Sequence, residues 1–367
     1  MQSDFQVTQL STDAGPASHR YYDVPVESPS AERITYFQWD GPQPGPGWVV
    51  VAEADGANPT RVARTEGPAI GHVGGLPTWL DDKTLAYAPD GADRERYAII
   101  SLDDPADPRP LDAGLRSYCE STGQAAAFRD RMPGTDTPEP GYARPILGLA
   151  DVQTGQFTPL LTITQACRLH PDGGRLDPAR LNFMNVKFAP DGQSTFVVFT
   201  DEVSARQAGR PRTVKSLILT DLKTGQSRWL GEFTHHPMWT PDGAGVIAHL
   251  DNPQRSQDLV RYALDAPQPE VLLPDFAGVH TSLNTAATHA ITDTHNDPEG
   301  TGGVWLTNLA TGQRVELARG THDRHDHEGG THIHPQFSRD ESRIFFAMRD
   351  TGQAQLYALQ LPQPWPV

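Results

Sequence analysis

Two histidines in Thr331-His332-Ile333-His334-Pro335 stand one residue apart, a spacing that can do metal chemistry. In an extended chain residues i and i+2 face the same side, so both imidazoles of such a pair can reach one cation. His280, in what reads as the preceding unit of a repeat, supplies a third. Three neutral imidazoles suit Zn2+, Fe2+, Ni2+ or Mn2+ and leave coordination positions open for water or a substrate oxygen. The competing account is that paired histidines cap backbone groups at a strand entrance. The segment 321–328, which holds His322, His325 and His327 among carboxylates, is either a source of a further ligand or a solvated loop.

Other chemistry is thinly marked. The sequence has no Gly-x-Ser-x-Gly elbow and no Gly-x-x-x-x-Gly-Lys-Ser/Thr phosphate loop. His236 follows His235 directly, and in an extended segment the two rings face opposite ways. Arg206, Arg210, Arg212 and Lys215 form a basic segment that reads as a solvated loop, except that Arg212 or Lys215, near a strand start, suits an anionic substrate.

The elements that must position these residues are short. Gly and Pro number 33 each and are spread along all 367 residues, so long helices have almost nowhere to sit. Between them lie β-type runs at 48–52, 195–199, 216–219, 245–248, 304–306 and 343–347. Two turn signatures recur. One is aromatic-x-x-Asp-Gly, as at Phe188 to Gly192 and Trp239 to Gly243; the other is Thr-Gly-Gln, at 154–156, 224–226 and 311–313. Both are hairpin turns, because Gly supplies a positive φ and Asp or Asn bonds its own backbone. Taking Asp40, Asp82, Asp191, Asp242 and Asp340 as phase markers, with degenerate copies near Thr122 and Ala286, gives intervals of 40 to 69 residues. This is the rhythm of a four-stranded propeller blade, and seven markers predict an all-β, seven-bladed β-propeller. Residues 1–367 then form one propeller domain whose first twenty or so residues either close the last blade or stay disordered. At one register of successive blades stand Leu76, Arg116, Asn185, His236, His280 and His334. Equivalent positions are related by rotation about the propeller axis, so the polar members of this set, from Arg116 to His334, would converge on one mouth of the channel.

Composition bounds the rest. Thirty Lys and Arg against 46 Asp and Glu give a formal charge of −16, without a basic run, which argues against nucleic acid and anionic membranes as partners. Two cysteines, Cys119 and Cys167, exclude a disulfide framework. No window approaches a membrane span, and the start at Met1 has neither a basic nor an apolar targeting region, so a cytoplasmic location is expected. Oligomeric state is not legible.

Thr331 to Ser338, the His236-Pro-Met-Trp run and the blade carrying His280-Thr-Ser-Leu-Asn resemble the oligogalacturonate lyases, over about residues 180–367. The resemblance implies a seven-bladed propeller that cleaves pectin-derived uronate oligomers by β-elimination, with Mn2+ held by three histidines and a glutamine. Carried over, the metal histidines are His280, His332 and His334, and the catalytic base is His236. Lys215, with Arg212 nearby, stands where an arginine is expected, and both are taken as catalytic; Arg116, Asn185 and His235 are taken as contacts for an anionic oligosaccharide. The glutamine's place, three residues before the His-x-His pair, is held by Gly329. A different uronate polymer remains open as substrate. The other readings are a metal-dependent hydrolase or isomerase on the same scaffold, and a non-enzymatic propeller that binds partners.

Overall fold

A computed structural model describes residues 1–43, 45–69, 77–90, 96–111, 114–135, 137–254, 256–266, 268–294, 300–321, 332–349 and 352–367. Among them the strands form antiparallel meanders of four, the blade unit of a β-propeller. The chain divides into two compact units, one of residues 1–110 and 277–367, the other of residues 111–276.

The second unit contains three blades, at 117–162, 182–232 and 235–273. Its core lies between neighbouring sheets: Phe128, Phe183, Val197 and Phe199 in one cluster, Phe196, Leu217, Trp239 and Val246 in the next. Apolar residues fill both faces of the central strands, which is why runs such as Ser194–Thr200 read as continuously apolar rather than alternating. Two short helices interrupt the meanders. Ile163–Leu169 starts on a capping box, in which Thr162 accepts from the Gln165 N–H and the Gln165 side chain accepts from the Thr162 N–H. Glu202–Gln207 follows the second strand of the 182–232 blade.

The first unit contains blades at 17–69, 78–111 and 281–321, and a last blade built from Gln336–Phe337, Arg343–Arg349, Ala354–Gln360 and the N-terminal strand Val7–Gln9. Val7 pairs with Leu359 and Gln9 with Tyr357. Its core again sits between sheets, with Trp39, Trp79 and Tyr87 in one cluster and Ile291, Leu306, Ile344 and Phe346 in another.

The repeated turns explain the register. Asp151, Asp221 and Asn308 each accept, through a side-chain oxygen, the N–H of the residue three further on, and the glycines that follow take φ of 72°, 69° and 71°. The phase marker at Asp40 is displaced by one strand. Asp40 closes the hairpin between Arg33–Trp39 and Gly45–Glu53, the second and third strands of its blade, whereas Asp191, Asp242 and Asp340 lie between first and second strands. The first strand of the 17–69 blade is only Ala17–Ser18, and the chain then departs before returning to the sheet at the Glu27–Ile34 bridge. That excursion carries His19, Arg20, Tyr21 and Tyr22. Among the described residues no helix is long and apolar enough to cross a membrane.

Candidate metal centre and basic cluster

In the first unit, one ligand nitrogen each from His280, His332 and His334 lies within 4.8 Å of the others. His280 ends the loop before strand Thr281–Leu283, and His332 and His334 occupy the segment that leads into Gln336–Phe337. His334 takes a positive φ of 48°, a conformation rare outside glycine and concentrated at functional sites. His280 and His334 are almost wholly buried, with ring centroids 4.2 Å apart, and the His332 ring stands 5.5 Å from His280 and 5.3 Å from His334.

Two of the three are tied together by a residue that the sequence did not single out. The carboxylate of Asp293, on strand His289–Thr294, is fully buried. Its Oδ2 accepts from His280 Nδ1 at 2.9 Å and from the His334 backbone N–H at 3.1 Å; its Oδ1 accepts from the His280 N–H at 2.9 Å. The excursion of the 17–69 blade supplies the surroundings. Tyr21 packs edge-on against His334 at 4.7 Å and His280 at 5.5 Å, Tyr22 lies 5.2 Å from His280, and His19 lies 6.2 Å from His334. Burial, reinforced by His280, His332 and His19, pushes the His334 imidazolium well below its usual range, which keeps the ring neutral. Imidazoles gathered around one point, with one of them oriented by a carboxylate, fit a divalent transition-metal ion. Gly329, and with it His322, His325 and His327, lies outside the described residues.

The second unit holds a basic cluster around Glu202, the first residue of the short helix. Lys215 Nζ donates to Glu202 at 2.8 Å, Arg206 at 3.2 Å, and Arg212 stands 3.5 Å away. Burial pushes the Glu202 carboxyl up, but Lys215, Arg212 and Arg206 outweigh it and hold the group below its usual value. Burial lowers Lys215, against the opposing pull of Glu202. The loop is not simply solvated. Asp201, nearly buried, accepts from Arg210 at 2.7 Å, the Thr213 hydroxyl at 2.7 Å, and the N–H groups of Thr213 and Val214 at 2.9 and 3.0 Å.

His235 joins this cluster. Its pKa falls to about 4 through burial, with Lys215 and Arg212 adding to the effect. The rings of His235 and His236 do not face opposite ways: they stack with centroids 5.6 Å apart and planes inclined by 22°. The strand is bulged between His235 and Met238, and His236 has φ of 46°, which breaks side-chain alternation. Asn185 sits at the matching bulge of the preceding blade with φ of 44°. Arg116 precedes strand Ser117–Cys119 with its guanidinium 6.0 Å from the centre of the Phe128 ring. Within the first unit the structure groups His280, His332 and His334; within the second it groups Lys215, Arg212 and His235, with His236 stacked on His235.

Blades of four antiparallel strands define a β-propeller, and its first unit carries a three-histidine cluster whose ligand nitrogens could hold one metal ion. Among solved structures the chain is similar to an oligogalacturonate lyase in complex with manganese, with 18% identity over 98% of this chain and 94% of that one and a TM-score of 0.69. It is also similar to the oligogalacturonate lyase of Vibrio parahaemolyticus, at 13% identity over 100% and 96% of the two chains, TM-score 0.69. The β-propeller domain of Cps50 (Swd1) from Myceliophteria thermophila follows at 12% identity over 92% and 97%, TM-score 0.53. At these identities the likeness shows the fold, an all-β propeller of seven four-stranded blades. No protein-family model and no curated protein matches the sequence.

Proposed function

We propose that this protein is a divalent-cation-dependent lyase that cleaves oligogalacturonate-like uronate oligomers by β-elimination. The observation that carries the reading is the cluster of buried His280 and His334 with half-buried His332, backed by Asp293. The fold likeness to two oligogalacturonate lyases, one in complex with manganese, directs it to this chemistry and to Mn2+ as the ion. A divalent ion bound by these histidines would supply positive charge to a substrate carboxylate and so acidify the neighbouring C5–H.

On this reading the chain's own groups do the rest. His236 accepts the C5 proton, the electron pair of that C–H bond forms the C4=C5 double bond, and the C4–O bond breaks with its electrons leaving on oxygen. Lys215 and Arg212 pair with a carboxylate of the oligomer, which is how a chain of net charge −16 holds a polyanion. Three basic side chains bear on the one carboxylate of Glu202, so Glu202 alone does not neutralise them. His235, with its pKa near 4, is neutral at neutral pH and contacts substrate as a hydrogen-bonding ring rather than as a cation. Arg116 and Asn185 are assigned further contacts along the oligomer.

The test is elemental analysis of the purified protein, followed by incubation of the Mn2+-loaded chain with a uronate oligomer and measurement of absorbance from the conjugated double bond. Stoichiometric metal with rising absorbance, abolished in His236→Ala while the metal stays bound, is the expected result. A metal-loaded chain that leaves every uronate oligomer intact overturns the lyase reading.

A further inference from the structure

We infer that Asp293 is the positioning residue of the metal centre, the group that makes three histidines from two blades into one preorganised ligand set. The inference rests on the metal-binding part of the proposed function and is independent of the reaction catalysed.

The argument starts from hydrogen-bond chemistry. An ionised carboxylate only accepts, so the ring nitrogen that meets Asp293 must carry the proton. His280 Nδ1 lies 2.9 Å from Oδ2 and 3.2 Å from Oδ1, which fixes the Nδ1–H tautomer and leaves the Nε2 lone pair for a cation. The same carboxylate accepts the backbone N–H of His280 and that of His334. His334 is 41 residues beyond Asp293 and belongs to the segment entering the last blade, whereas Asp293 belongs to the 281–321 blade and His280 to the segment entering it. One side chain therefore sets the ring of one ligand and the backbone of another.

Three N–H donors converge on two oxygens, and that pattern demands a carboxylate. An amide in the same place presents one oxygen and one NH2. With the NH2 at the Oδ1 position it opposes the His280 N–H; at the Oδ2 position it opposes the His334 N–H. Asparagine matches aspartate in size, so the consequence is electrostatic rather than steric. Charge supplies the second reason. Neutral imidazole ligands would leave a divalent ion with its full charge, and the carboxylate of Asp293, fully buried beside His280 and His334, would offset it.

The experiment uses the full-length chain, Mn2+ as probe in calorimetric titration, and Co2+ as a second probe whose visible absorption reports coordination geometry. Asp293→Asn is expected to fold, by circular dichroism and cooperative melting, and to bind Mn2+ about 10- to 100-fold more weakly, the range seen when such outer partners are removed. Its Co2+ spectrum is expected to shift. A folded Asp293→Asn chain with wild-type affinity and spectrum overturns the inference. Nitrogen-15 NMR of the metal-free wild-type chain tests it without relying on the variant, the His280 signal being assigned by its loss in His280→Ala. The Nδ1–H tautomer is expected, and the Nε2–H tautomer overturns the inference. A wild-type chain that binds none of Mn2+, Co2+ and Zn2+ overturns the metal reading and this inference together; wild-type binding with no response to Asp293→Asn overturns this inference alone.

Discussion

At the scale of single residues the His-x-His pair stands out in the sequence because two imidazoles one residue apart are visible in one dimension. Asp293 does not. It is one of 46 acidic residues, in a strand whose pattern marks nothing, and only folding brings it against His280 and His334. His19, Tyr21 and Tyr22 escaped for a related reason, since they ride on an excursion that the phase marker at Asp40 concealed. Two predictions belong here. His280→Ala and His332→Ala each remove one of three ligands and are expected to lose stoichiometric Mn2+ while keeping a wild-type circular dichroism spectrum; elemental analysis after dialysis checks this, and retained metal in either variant counts against the centre. Lys215→Met is expected to raise the pKa of His235 from about 4, because a neighbouring cation that disfavours the imidazolium is gone. Burial is the larger cause and persists, so the value should stay below the ordinary 6.5. Histidine titration by NMR decides it, and an unmoved His235 would separate Lys215 from that ring.

At the scale of elements, several candidate site residues sit where the backbone at the start of a blade is irregular. Asn185, His236 and His334 all adopt positive φ, and side chains at such kinks are aimed differently from those of a regular strand. A simple period of two therefore misplaces them, as with the stacked rings of His235 and His236. The outer turns behaved differently. Their signals are local, an Asp or Asn bonding its own backbone and a Gly at positive φ, and local signals survive in sequence. The helix and loop at 201–214 rest on Asp201, and its titration gives a pH prediction. Burial raises the Asp201 carboxyl, but Arg210, Thr213 and the backbone donors outweigh it and hold it below 3.8 in the folded chain. A depressed folded value means that its contribution is complete above the unfolded value and is lost as pH falls through the folded one. Asp201→Asn leaves donors of this buried site unmatched and should cost about 1–3 kcal/mol at neutral pH. It should also flatten the acid limb of stability below about pH 4. Urea unfolding of both chains across that range is the check, and parallel acid limbs would contradict the assignment.

At the scale of the whole molecule, a propeller must join its first and last blades, and in this chain the last blade takes its fourth strand from the N-terminus. Val7–Gln9 pairs with Ala354–Gln360, Gln2 exchanges two backbone hydrogen bonds with Arg319, and Ser3 Oγ donates to the Leu317 carbonyl at 2.6 Å. Leu10 is buried beside Phe345 and Leu356, and Phe5 and Val7 pack against the cluster of Ile344 and Leu359. The same blade is entered through His332 and His334, so the N-terminal strand supports the sheet on which two of the proposed ligands depend. Removing residues 1–11 would expose strand Ala354–Gln360 as a free edge, and exposed edges invite association. Lost burial of Leu10 with part of Phe5 and Val7 should cost at least about 3 kcal/mol. The truncated chain is therefore expected to melt at lower temperature, to scatter light on concentration, and to bind Mn2+ more weakly than the intact chain. A synthetic peptide of residues 1–11, added in excess, should restore part of each property, because it can supply the missing strand in trans. A truncated chain with unchanged melting and metal affinity would mean that the last blade stands on three strands without help from the first.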